Sequence, residues 1–86
     1  MEFNDLLSRY FATSDFADIT PAAMAAGTER MRVDLGLETD RGKRFAIWSL
    51  LYMLGEAPEL TATFKDAGEQ DAARNFMDMM AAAEGA

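Results

Sequence analysis

The sequence predicts an all-α fold: a small bundle of four to five helices around a central apolar helix at about residues 40–54. Three observations predict it. Ala, Leu, Met, Glu and Arg, all good helix formers, dominate the 86 residues. Ile and Val occur only at Ile19, Val33 and Ile47, and no stretch alternates apolar and polar residues as a half-buried strand does. Apolar residues recur instead at helical spacings, three and four apart.

The first helix is expected from about Asp5 to Ala12, with Asn4 as its N-cap, because the Asn side chain accepts from an otherwise unpaired backbone N–H. Leu6, Leu7, Tyr10 and Phe11 form its apolar stripe. Thr13, Ser14 and Asp15 break the pattern, and Phe16 and Ile19 are expected to anchor a loop or short turn over the core. The second helix has the clearest start. Thr20 caps it and Pro21 takes the first helical position, where a missing N–H costs nothing. Met24, Gly27, Thr28, Met31 and Leu35 share one face, and Gly36 is expected just past the end. Gly27 lies on the apolar stripe, where glycine costs about 1 kcal/mol in helix propensity. Its place predicts a close helix crossing.

The third helix is expected from about Asp40 to Leu54, capped by Thr39 and stopped by Gly55. Phe45, Trp48, Leu51 and Tyr52 share one side, and Ile47 and Leu54 extend it, leaving only Ala46, Ser49 and Met53 exposable. A helix apolar nearly all round belongs in the middle of a bundle, so Trp48, Leu51 and Phe45 should be nearly fully buried. Pro58 opens a short fourth helix over Glu59 to Phe64. Asp66 to Glu69 resembles a capping box with Asp in the Ser position, and a fifth helix follows to about Ala83, with a frayed end over Ala81 to Ala86. Its inward stripe is Ala73, Phe76, Met77 and Met80, its flank Ala72, Met79 and Ala83, and its polar side Gln70, Asp71, Arg74 and Asp78. The connections are short, which fits a single helical domain over 1–86.

Composition excludes several function classes. Fifteen acidic against eight basic residues give a net charge of -7. Phosphate backbones and anionic membranes repel such a chain, so neither nucleic acid nor membrane is expected as a direct partner. The segment Met1 to Asp5 is acidic, unlike a secretory leader, and the apolar stretch Phe45 to Leu54 is half a membrane span, so a cytoplasmic location is expected. Arg outnumbers Lys and Ala is abundant, as in a GC-rich bacterial genome. Cysteine and histidine are both absent, which removes disulfides, thiolate metal sites and the commonest general base. Ser8, Ser14 and Ser49 lie in no nucleophile elbow, and nothing pairs Tyr10 or Tyr52 with a base. Glu29, Asp34, Glu38, Asp66, Glu69, Asp71 and Asp78 lie mostly on polar faces and form no calcium-loop pattern. No catalytic residue, metal or cofactor is expected.

Two candidate sites remain. Arg41, Lys43 and Arg44 stand at the start of the third helix, a place suited to an anion. The spaced glycines of a phosphate loop are missing, and Asp40 and Arg44 are spaced to pair with each other. A helix-turn-helix reading of the second and third helices fails because the latter is apolar where a recognition helix is polar. The second candidate is the wide arc of the fifth helix, about 160°, more than one neighbour needs. It suggests a small non-enzymatic interaction module that self-associates as a homodimer through Ala72, Phe76, Met79 and Ala83. Met-rich faces adapt to varied partners. The alternative is an acidic regulator or inhibitor that covers a basic, nucleic-acid-binding surface of another protein; lined-up carboxylates would mark it.

Overall fold

The structure, a computed structural model, describes residues 3–13 and 15–85. Met1, Glu2, Ser14 and Ala86 lie outside it, and so do the readings that fall on them. Among the described residues five α-helices follow in order: α1 (Phe3–Phe11), α2 (Pro21–Leu37), α3 (Arg41–Met53), α4 (Leu60–Thr63) and α5 (Ala67–Gly85). A 3-10 turn, Phe16–Asp18, lies between α1 and α2. Among the described residues there is no strand, and no helix is long and apolar enough to cross a membrane. The principal contacts pair α1 with α2 and α4 with α5, and α3 touches α1, α2 and α5. The central place expected for α3 is the one it occupies.

Trp48 is the hub of that arrangement, with 1% of its surface exposed. Its ring stacks on Tyr52, with centroids 5.5 Å apart, and meets Phe64 and Phe76 edge-on at 5.7 and 6.2 Å. Buried aromatic pairs of this kind contribute about 0.5–1.5 kcal/mol beyond their area. The indole N–H cannot be left unpaired in such a place. It donates to the Pro58 carbonyl at 3.1 Å, which fixes the segment before α4 against α3. Phe64, in extended backbone just after α4, is buried with it. Phe45 differs from expectation. It packs on Trp48, Phe64 and Phe76 but stays half-buried at the edge of the cluster.

The caps explain where the helices begin. Thr20 Oγ1 accepts from the Ala23 N–H at 3.1 Å, as its position implies. α3 is capped by Asp40 rather than Thr39: Asp40 Oδ2 accepts from the Lys43 N–H at 2.9 Å. Asp66 Oδ2 accepts from the Glu69 N–H at 3.2 Å, giving half of the expected box; the Glu69 side chain turns to Arg41 instead. Asn4 is already inside α1 and does not cap it. α5 is helical to Gly85, past the expected fraying. Phe16 is 43% exposed, outside the core cluster it was expected to cover, whereas Ile19 does pack on that cluster.

The ends of α3 and α2 are built differently. Gly55 (φ +77°) stops α3, with its N–H donating to Tyr52 O and that of Glu56 to Leu51 O, a Schellman arrangement. α2 instead runs past Gly36 to Leu37, so Gly36 is not the terminating residue. Arg44 supplies the reason. Its Nη1 donates to the Leu35 carbonyl at 2.6 Å and to the Glu38 carbonyl at 3.3 Å, satisfying the helix end without a left-handed residue. Its Nη2 donates to the Thr63 carbonyl, and the guanidinium lies over the Phe64 ring.

Ser49, expected on an exposable strip, is buried at 2% exposure, and Ala46 is half-buried. Of that strip only Met53 is exposed. The reading failed because α3 is covered from two sides, by α1 and α2 as well as by α5.

Gly27 does mark a close crossing. The Phe11 ring of α1 fills the space that a Cβ at Gly27 would need. Gly27→Ala should therefore lower stability by about 1–3 kcal/mol through overpacking. Helix propensity alone would raise it by about 1 kcal/mol. The sign in a urea titration decides between the two.

Candidate functional site

The basic cluster at the start of α3 is dispersed by its own bonds. Arg44 is turned to three backbone carbonyls and does not pair with Asp40. Arg41 Nε pairs with Glu69 Oε1 at 3.3 Å, from α3 to α5. Lys43 is exposed and contributes its backbone N–H to the Asp40 cap. The three side chains thus have separate tasks or directions.

The carboxylates are similarly engaged. Asp15, Asp40 and Asp66 cap helix starts. Glu56 pairs with Arg32, Glu69 with Arg41 and Asp71 with Arg74. Among the described residues no three acidic side chains converge as metal ligands would. Asp34 accepts from the Tyr10 hydroxyl at 2.6 Å, tying α2 to α1. Burial of the hydroxyl, then this hydrogen bond and the Asp34 charge, push the Tyr10 pKa up to about 12.

A shallow groove of about 350 Å³ lies between α3, the Pro58 segment and α5. Trp48, Tyr52, Ala57, Pro58, Leu60 and Met77 line it, and Arg74 and Glu59 stand at its rim. Its walls are the aromatic cluster and carry no paired acid and base.

The apolar candidates divide cleanly. Of the four residues expected at an interface on α5, Phe76 turns inward and meets Phe45, Trp48 and Tyr52 edge-on. Ala72, Met79 and Ala83 face outward, and Met79 is 66% exposed. The sequence reading missed a second face, on α2. Opposite buried Met31, within roughly 80° of arc at the helical turn angle, lie Ala22, Ala26, Glu29, Val33 and Leu37, all exposed. Leu37 is 76% and Val33 53% exposed. The signal was the i, i+4 pair Val33 and Leu37. It was lost by ending the helix at Gly36, which put Leu37 in a loop.

Comparison with models of known families, with curated proteins and with solved structures finds no match.

The Tyr10 bond gives a testable pH dependence. The folded state holds the Tyr10 proton above the ordinary value near 10, so its contribution is complete below about pH 10. It is lost as pH rises from there through about 12, because the unfolded chain gives up its proton first. Urea titrations of wild type and Tyr10→Phe across that interval should show a shallower fall for the variant. Equal slopes would contradict the coupling.

Proposed function

We propose that this chain is a non-enzymatic helical interaction module that works as a homodimer. The observation that carries this reading is the exposure of large apolar side chains on helices whose inner faces are already packed: Leu37 at 76%, Met79 at 66% and Val33 at 53%. Scattered surface apolar residues are normal, but Val33 and Leu37 are neighbours on one face of one helix. A chain of this length buries only about 60–65% of its unfolded surface by itself, so covering such a face adds proportionally more stability than it would in a larger domain. The absence of histidine and cysteine from the sequence supports a binding rather than a catalytic role.

The carboxylates give less support to an acidic inhibitor of a basic surface. Several are spent on caps and ion pairs distributed from the turn before α2 through to α5.

Sedimentation equilibrium of the wild-type chain tests the reading. The expected result is a monomer–dimer equilibrium with a dissociation constant on the order of micromolar, as suits a small interface. A chain that stays monomeric up to about 1 mM, a binding free energy weaker than about 4 kcal/mol, would refute it.

A further inference from the structure

We infer that the groove between the end of α2 and α4 binds a small organic phosphate monoester. The inference goes beyond the self-association proposed above and does not depend on it.

The chain has eight basic residues against fifteen acidic ones. Three of the eight, Arg32, Arg44 and Lys65, line this one groove of about 420 Å³, and among the described residues no carboxylate lines it. They come from α2, α3 and the segment before α5. The fold thus separates Arg44 from its sequence neighbours Arg41 and Lys43 and sets it with two distant cations.

Much of this positive charge is left uncompensated. Arg44 donates to the carbonyls of Leu35, Glu38 and Thr63. Neutral acceptors satisfy its N–H groups without cancelling its charge. Lys65 is exposed and pairs with no carboxylate among the described residues. Arg32 alone has carboxylate partners, Glu56 and, at 3.9 Å, Glu29. Two other nearby acids are turned to backbone N–H groups. Glu38 Oε2 accepts from Thr39 at 3.1 Å and Asp40 at 3.2 Å, and Asp66 caps α5. In a chain of net charge -7 the groove is a local reversal of sign, and a concave site focuses such a field on an anion.

The walls fit the rest of the ligand. The Leu35 and Thr63 carbonyls already accept from Arg44 and the Pro58 carbonyl from Trp48, so these three acceptors do not confront an anion. Leu35, Pro58 and Ala62 give an apolar floor for an organic group. A Cβ at Gly36, also on the groove, would meet nothing within 4 Å, so the space there is open. The volume falls in the usual range of small-molecule sites, about 300–1,000 Å³. Cations on three walls suit a phosphate, whose three free oxygens point in different directions. A carboxylate offers two oxygens in one plane.

The probe is phenyl phosphate, titrated into the ¹⁵N-labelled chain at low ionic strength and about pH 8, where a monoester is a dianion. Saturable amide shifts are expected at Gly36, Ala62 and Lys65, with a dissociation constant below about 1 mM. Arg44 is left intact because it holds the helix ends. Lys65→Ala and Arg32→Ala should each weaken binding about threefold or more, as loss of an exposed charge contact does. Glu56→Gln, which frees Arg32, should tighten it. Gly36→Glu, which sets a carboxylate in the groove, should abolish it. Lys43→Ala, an exposed cation outside the groove, should leave it unchanged. All five positions are exposed, so the variants should fold, which circular dichroism checks. No saturable shift, or Lys43→Ala weakening binding as much as Lys65→Ala, overturns the site. Benzoate binding as tightly as phenyl phosphate overturns the phosphate assignment. A phosphoserine peptide binding more tightly than phenyl phosphate overturns the small molecule in favour of a phosphorylated partner.

Discussion

The burial of one indole constrains most of this molecule. Trp48 sits at the middle of α3 with almost none of its surface in water. A group of that size requires partners on every side, and Phe45, Tyr52, Phe64 and Phe76 supply them from α3, α5 and the end of α4. Its N–H requires an acceptor, and the Pro58 carbonyl provides it. Satisfying both needs directs the chain after α3 back across the cluster. α4 can then be a single turn, since its task is to deliver Leu60 and Phe64 rather than to stand as a helix. The aromatic residues of α5 are consumed in the same way, which is why Phe76 belongs to the core although it lies next to an exposed flank.

The remaining half of the bundle is held by two smaller devices. Phe11 enters the space left by Gly27, so the Phe11 ring of α1 lies directly on the backbone of α2. Arg44 gathers the last carbonyls of α2, the connection to α3 and the end of α4 onto one guanidinium. Its planar fork serves three acceptors in fixed directions, which a point charge on a lysine cannot do. A basic residue next to a helix start looks like an anion site in sequence. Here it is a clasp for backbone groups that would otherwise lack partners.

The sequence made the architecture legible where the signal was periodic. Leu6, Leu7, Tyr10 and Phe11, the Met31 face of α2 and the apolar α3 all fall where their spacing puts them, because tertiary packing follows the same period. The close crossing at Gly27 was readable as well, since a glycine on an apolar stripe has few other uses. What escaped were features set by distant partners. The end of α2 depends on Arg44, nine residues away, and no local pattern announces that. Ser49 is buried because two sets of helices cover α3, a fact of topology rather than of periodicity. The α2 face was missed for a related reason. A helix apolar on two sides shows little amphipathic contrast, and α2 reads as well packed once its inner stripe is assigned.

With the core complete around Trp48, Val33, Leu37 and Met79 keep large apolar side chains outside it. The Trp48 cluster holds α3, the α4 segment and α5 together, and Trp48→Ala is the variant that bears on this. It loses the ring packed on Tyr52, Phe64 and Phe76 and the N–H donated to the Pro58 carbonyl. Its unfolding free energy in a urea titration should fall by about 3–5 kcal/mol, the cost of deleting a buried aromatic. A variant as stable as the wild type would contradict the account.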